Sequence, residues 1–561
     1  MIIQTDTQST QSRGFNIGPL PLLWPFIRWL KIAEIVNAHC PADPQAEFSH
    51  GEVVEAMVAC RLCNPVALYR VEDWAREEGA EHFLAIPADK LNDDRLGRTL
   101  EALFPHRYSI MAHTACRAAC EFGLSLEVLH YDPTHFLFYG EYDNQHVGID
   151  LLNVTRGRHS QGSQSVKEAQ VGVNMANDGR GPVPVFFNTG SGNEQHTTLA
   201  ARNLEKLQKH LRPKRLLLIE DRGSFSREHG FKIDKDGFHF IATVGWSQEL
   251  QKLLKTIPEE GFEESRFLSI AEAKKRQAAQ PPSTWEYYRL AERPQTWKHP
   301  DRKNPAQMAV RILFVYSSAD AKTAKKARDR HTEKIRQGLL AIQASVAKGC
   351  RNTDPASVTR RVAKVMGKKS VAKYFRWDMV ALSDPEREAL GKPGRGRRRP
   401  THRFEFTYEP SLAEADAQWD GYWALATNLP TSEKGTDDVF CAYKEQSHID
   451  VAHHQMKAPL RIHPVFLHKQ ERIEALVLIL FLALMVFYLL QRQYRRRRGR
   501  QDRTTGETLI RAYSTLCILV DGEAVRACAR SQRQIEIAAV LRLPPVAQQI
   551  VENRARSPTS L

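Results

Sequence analysis

Asp132, Asp221 and Asp450 are the residues of this chain whose types and settings suit chemistry. Asp132 interrupts an apolar, strand-like run, LEVLHYDPTHFLFYG (126–140), and Asp221 ends a second, RLLLIEDRG (215–223). Asp450 lies in YKEQSHIDVAHHQMK (443–457), a stretch with helical spacing. A carboxylate inside an apolar strand needs a partner or a metal, because burying an unpaired charge is costly. Mg2+ takes few carboxylates and keeps several waters, so three acidic side chains from separate elements suffice for a pair of ions. Two ions about 3.5–4 Å apart activate a water or a 3′-hydroxyl and stabilise the leaving oxygen of a phosphodiester. In such a site Asp132 bridges the ions, Asp221 ligates one and Asp450 the other, and Mn2+ can substitute. The bland readings are a strand-ending turn residue for Asp221 and a solvated helix residue for Asp450.

The elements that must position these groups follow from the hydrophobic period. Residues 14–124 carry apolar spacings of three and four and read as helices,. From 125 to 247 the pattern changes to strands. LEVLHYDPTHFLFYG is followed by QVGVNMANDGRGPVPVFFNTG (170–190), whose Asn-Asp-Gly-Arg-Gly reads as a hairpin turn,. Residues 196–211 read as a helix with Asn193 or Thr197 as cap, RLLLIED as a short buried parallel strand, and GFHFIATVGWS (237–247) as another strand,. Three strands, a helix, a strand and a further strand give the order of an RNase H-like core. Residues 250–415 are charged, with the strand-like FEFTYE (404–409), and are too long for a loop, so an insertion is expected,. WDGYWALATNL (419–429) resumes strand character and 437–490 reads as helical.

The fold class is therefore α/β: an RNase H-like catalytic core, a helical N-terminal domain, and a large insertion between the second and third acidic residues. The expected units are 1–124 for DNA binding or dimerisation, 125–249 and 416–490 for the core, 250–415 for the insertion, and 491–561 for a basic tail.

Charge narrows the partner. The net charge is +15 and the pI near 9.3, which favours a polyanion over a small neutral substrate. PGRGRRRP (393–400) and the seven arginines from Arg492 to Arg503 read as phosphate-binding strips or as solvated charge,. Nine irregularly spaced cysteines and a polar N-terminus point to a reducing cytoplasm,. Cys60, Cys63, Cys116 and Cys120 have a zinc reading, but their helical spacing favours small core residues. His453 and His454 are adjacent and chelate poorly, His448 completes that cluster, and His159 and His196 read as loop residues. The run ALVLILFLALMVFYLL (475–490) is 16 residues long, against the roughly 20 that span a bilayer, so a buried core helix is expected rather than a membrane anchor.

Residues 443–457 resemble the Tyr-x2-Arg-x3-Glu-x6-Lys signature of bacterial insertion-sequence transposases of the DDE type. Tyr443 and Lys457 match it, Gln446 stands at the arginine position and Asp450 at the glutamate position. YDPTHFLF, GNEQHTTL, LIEDRGSFS, DGYWALATNL and the segment 457–484 are similar to the ordered blocks of these enzymes. The N-terminal GPLPLLWPFIRWLKIAEIV and VALYRVEDW resemble a helical domain of one subgroup.

The resemblance implies Mg2+-dependent cleavage at transposon ends and strand transfer into target DNA, by direct attack of water and then of a 3′-hydroxyl. It implies contacts from Tyr443, Gln446 and Lys457 to DNA, terminal inverted repeats as partner, a homodimer, no membrane, and a nucleoid-associated protein in a bacterial cytoplasm. Two departures bear on activity: Asp450 reaches one methylene less far than glutamate, and Gln446 lacks the bidentate cation of arginine. Glu445 is five positions before Asp450 on a different helical face, which leaves Asp450 as the third carboxylate,. The alternative function is an impaired copy that acts only by binding DNA.

Overall fold

The computed structural model describes residues 12–41, 44–138, 152–156, 167–350, 353–390, 399–446, 467, 469–499 and 502–556. After a short strand, β1 (Arg13–Asn16), come the helices α1 (Leu20–Trp29), α2 (Ile32–His39), α3 (His50–Cys63), α4 (Asp93–Leu103) and α5 (Arg107–Phe122). α3 begins at a capping box, in which the Ser49 hydroxyl and the Glu52 carboxylate each accept from the other residue's backbone N–H,. Cys60 is buried in that helix, whereas Cys116 and Cys120 are exposed on α5, so their four-residue spacing marks its outer face and not the core.

The strands are β2 (Val128–Phe138), β3 (Thr155–Arg156), β4 (Lys167–Ala176), β5 (Val183–Ser191), β6 (Leu217–Glu220), β7 (His239–Val244), β8 (Glu263–Glu264), β9 (Tyr288–Lys298), β10 (Gln307–Ser317), β11 (Phe375–Ala381), β12 (His402–Tyr408) and β13 (Tyr422–Thr427). All but β11 and β12 make one ten-stranded sheet, in the order β8-β9-β10-β13-β7-β6-β2-β4, with β5 and the short β3 also paired to β4. β4 pairs antiparallel with both β2 and β5, while β6 lies parallel to β2 and β7 parallel to β6. The Asn-Asp-Gly-Arg-Gly turn joins β4 to β5 as its composition predicts,. α6 (His196–Lys206) connects that hairpin to β6, with Gln195 at its N-cap and no side-chain cap, so neither Asn193 nor Thr197 fills the expected role.

The stretch 250–415 divides in two. β8, β9 and β10 extend the central sheet, because β10 pairs with β13 and β9 with β10. Beyond them, α7 (Ser318–Ala347) packs Ile335, Leu339, Ile342 and Val346 against the β11–β12 hairpin in a core of its own. α7 is capped at Ser317, whose hydroxyl accepts from Asp320 N at 3.2 Å.

Helices cover both faces of the sheet. On one, α8 (Thr436–Lys444) sets Val439 and Phe440 on a layer formed by Leu217, Ile219, Ile241, Leu313, Val315 and Leu425. On the other side α9 (Gln470–Arg498) packs on β5 and on α1, α3, α4 and α5. The apolar run 475–490 is the middle of α9 and is buried within the protein throughout, as its all-round hydrophobicity requires of a central helix. α9 crosses position 490 without a break and carries the first arginines into the interior. Arg492 is buried and clamps Asp178 of the β4–β5 turn through two hydrogen bonds, at 2.6 and 2.8 Å. Arg495, Arg496 and Arg497 donate to the carbonyls of Thr504, Phe122 and Val540. The expected phosphate strip is thus in good part a set of internal contacts. Further on, β14 (Cys517–Asp521) pairs with β1 and with β15 (Ala524–Ala527), and Trp24 donates to Asn553 Oδ1 at 2.8 Å. The C-terminal tail and the N-terminal helices make one packed unit.

Candidate active site

Asp132 and Asp221 stand where the paired stretch of the interior strands β2 and β6 ends. Tyr131 and Glu220 are the last registered partners of the parallel pair β2 and β6. Asp132 and Asp221 are the next residue on each strand, so they stand side by side across a strand spacing of about 4.8 Å. They continue the rows of Val128 and of Leu217 and Ile219, on the face that α8 covers further down,. The intervening residues point the other way and are tied there. Tyr131 is fully buried and donates through its hydroxyl to Asn188 Oδ1 at 3.1 Å. Glu220, also fully buried, meets His229 Nε2 at 3.2 Å.

β6 ends at Asp221 because the backbone turns there. Asp221 Oδ1 accepts from Gly223 N at 2.9 Å and from Ser224 N at 3.1 Å, an Asx turn that starts the loop. Its Oδ2 accepts no hydrogen bond among the described residues. A Cβ added at Gly223 would lie 3.3 Å from Asp221 Oδ1 and 3.5 Å from His196 Nδ1, which places the His196 ring beside the carboxylate.

His196 opens α6 instead of lying in a loop. Its Nε2 is 3.1 Å from His135 Nε2, and His135 Nδ1 is 3.2 Å from the buried Glu168 Oε2. Burial lowers the His196 pKa, against the pull of Asp221. Gln170 holds the loop that delivers His196, donating to Glu194 O at 2.7 Å and to Ser191 O at 3.1 Å. Sequence reasoning missed this Glu168–His135–His196 line. The available signal was a histidine three residues after Asp132 in an otherwise apolar strand.

Tyr443 is on α8, its ring 5.6 Å from that of Trp423 and packed on the apolar layer of the sheet. Gln446 lies in the turn that follows, its backbone N–H bonded to Tyr443 O at 3.0 Å. Its Oε1 is buried and takes no hydrogen bond among the described residues. Asp450 and Lys457 lie outside the described residues, as do His159, the cluster His448, His453 and His454, and most of the PGRGRRRP loop.

A cleft of about 930 Å³ opens between the loop that follows β6, β7 and β9, lined by Arg222, Arg227, Glu249, Lys252, Trp297 and Lys298 among others. The Arg227 guanidinium sits 5.1 Å from the Trp297 ring centroid. The cleft is therefore basic and partly aromatic, a setting for an anion,; its apolar lining, Phe225, Trp297 and Ile312, belongs to the face of the sheet opposite Leu217 and Ile219.

A family model described as a domain of unknown function (DUF4277) matches residues 14–113, within the helical N-terminal block. No curated protein matches the chain. One matching solved structure is the cryo-EM structure of the piggyBac transposase synaptic complex with hairpin DNA. It is aligned over 96% of this chain and 84% of that one, at 9% identity and a TM-score of 0.34, too distant to carry a structural argument.

Proposed function

We propose that this protein is a DNA transposase of the DDE type, which cleaves the ends of its element and joins them to target DNA. The observation that carries the reading is the pair Asp132 and Asp221, adjacent on parallel strands. The neighbourhood supports it: β5-β4-β2-β6-β7, with the first three antiparallel and the last two parallel to β2, is the strand order of an RNase H-like core.

The donor set suits hard cations. Asp132, Asp221 and, by its place in the signature, Asp450 offer only carboxylate oxygens, and Asp221 keeps Oδ2 free of hydrogen bonds among the described residues,. Bound Mg2+ or Mn2+ would supply charge neutralisation at the scissile phosphate and an activated oxygen nucleophile. The chain's own residues do the rest. The Asx turn fixes the Asp221 carboxylate, and the Tyr131 and Glu220 anchors fix the strands. The proposed DNA contacts of Tyr443, Gln446 and Lys457 complete the site, and a homodimer would bring two ends together.

The test is cleavage of a supercoiled plasmid carrying the DNA that flanks the protein's own reading frame, with MgCl2 or MnCl2. The expected result is strand breakage by the wild type, and its loss in Asp132→Asn and Asp221→Asn with DNA binding retained. Breakage that persists in both variants removes the two carboxylates from the chemistry. A wild type that binds this DNA and cuts with neither metal favours the second reading, a DNA-binding copy impaired by Gln446 and Asp450.

A further inference from the structure

One stretch of this chain holds a large share of its positive charge. Residues 318–376 hold sixteen Lys and Arg against four Asp and Glu, whereas residues 1–124 hold eleven against sixteen. A short stretch thus carries most of the net charge of +15, and the helical N-terminal block is acidic. Along α7, Lys322, Lys326, Arg330 and Lys334 recur every four residues, all exposed and none in an ion pair among the described residues. At 1.5 Å per residue they make a winding stripe about 18 Å long.

The stripe is aimed by the sheet. β10 is antiparallel to β13 and β13 to β7, so β10 runs parallel to β6 and β2, with Ile312 level with Glu220 and Tyr131, and continues past the level of Asp132 and Asp221. α7 starts from Ser317, three strand spacings, or about 14 Å, to the side of β6 and four residues, or about 13 Å, further along than Asp221,. Its root is fixed. Arg328 grips Asp420 with two hydrogen bonds, at 2.6 and 2.5 Å, and Gly421 fits under the helix start where a Cβ would strike Ser317 O.

We propose that the exposed stripe of α7 is the principal holder of the duplex DNA backbone beside the two aspartates, and that the N-terminal block is not. The inference rests on the DNA reading above only for its partner. Its measurement is equilibrium binding, so it stands or falls apart from catalysis.

The test compares the wild-type chain with the variant Lys322→Gln/Lys326→Gln/Arg330→Gln/Lys334→Gln. Binding to a random-sequence 40-base-pair duplex is measured as a function of salt, with circular dichroism confirming that each variant is folded. Four lost phosphate contacts lower the slope of log K against log salt by about 3.6, so raising salt from 50 to 200 mM weakens the variant about 150-fold less than the wild type. Neutralising Lys31 and Arg98 of the N-terminal block leaves the slope within about one unit of the wild type. An unchanged slope in the α7 variant overturns the proposal, as does an equal fall in the N-terminal variant. If the stripe instead docks on the acidic block of a second copy, the α7 variant changes sedimentation and not DNA binding, which also overturns it.

Discussion

Glu474 gives the most demanding test of how the helical block is fastened to the sheet. It sits near the head of α9, fully buried, with Oε2 2.7 Å from Arg107 Nε of α5. The same carboxylate accepts from Leu152 N at 2.7 Å and from the Thr189 hydroxyl of β5 at 3.0 Å. One side chain therefore ties α5, α9 and the sheet in a dry interior. Glu474→Gln leaves the Arg107 guanidinium buried without a counter-ion, which costs about 3–5 kcal/mol. The amide nitrogen that replaces one oxygen cannot accept a hydrogen bond, which places the loss in the upper half of that range. A chain of this size does not unfold in two states, so the measurement is native-state hydrogen exchange of the amides in α9 and β5. A loss of about 4 kcal/mol raises their exchange rates nearly a thousandfold. Replacing both partners, Arg107→Met with Glu474→Leu, restores most of the protection, because no uncompensated charge remains. Exchange within threefold of wild type in Glu474→Gln refutes the reasoning, and so does a double variant as unprotected as the single one.

Two further outcomes follow from buried contacts around the same sheet. Burial, and then the charges of Lys209, Lys206, Arg107 and Arg212, hold the His210 pKa at about 4 against an ordinary 6.5, with Ser109 Oγ 3.0 Å from Nδ1. Between those values the unfolded chain takes up a proton that the folded one refuses, so this site's stabilisation is full above pH 6.5 and is lost as pH falls towards 4,. A His210 ring titration by NMR with a midpoint near 4 bears this out, and a midpoint above 6 counts against it. Gly172 faces Pro133, the residue after Asp132, and a Cβ there would collide with Asn188 Oδ1 and the Tyr131 hydroxyl. Gly172→Ala is expected to cost about 3 kcal/mol and to expose the amides of β2 and β4 to exchange, and unaltered protection in those strands would show that the clash is relieved elsewhere.

What could be read in the sequence was whatever the hydrophobic period controls locally. The β4–β5 hairpin, the short buried β6, β7, β13 and the apolar centre of α9 all follow from side-chain alternation or all-round hydrophobicity,. The placing of Asp132 within one strand and of Asp221 at the end of another was legible for the same reason. Features that depend on distant partners were not. Arg492 belongs to a charge run that reads as solvated, and only Asp178, 314 residues away, accounts for its burial. β9 and β10 lie in a charged region, and nothing local says that β10 will find β13 more than a hundred residues later. His196 looks like a loop residue until α6 is set against β2 and the His135 ring.

The register of β2 against β6 is specified twice over, and this explains how so small a parallel pair can hold a site. A one-residue slip turns every side chain to the opposite face. Slipping β2 would carry Tyr131 away from Asn188 and leave a buried hydroxyl and a buried amide unpaired, at about 1–3 kcal/mol for each group. Slipping β6 would take Glu220 from His229 and push Leu217 and Ile219 out of the layer beneath α8. Both penalties fall on residues that take no part in chemistry. The alternation that buries Tyr131 and Glu220 on one face leaves Asp132 and Asp221 on the other,. The fold thus uses its polar anchors to hold Asp132 and Asp221 in register on neighbouring parallel strands.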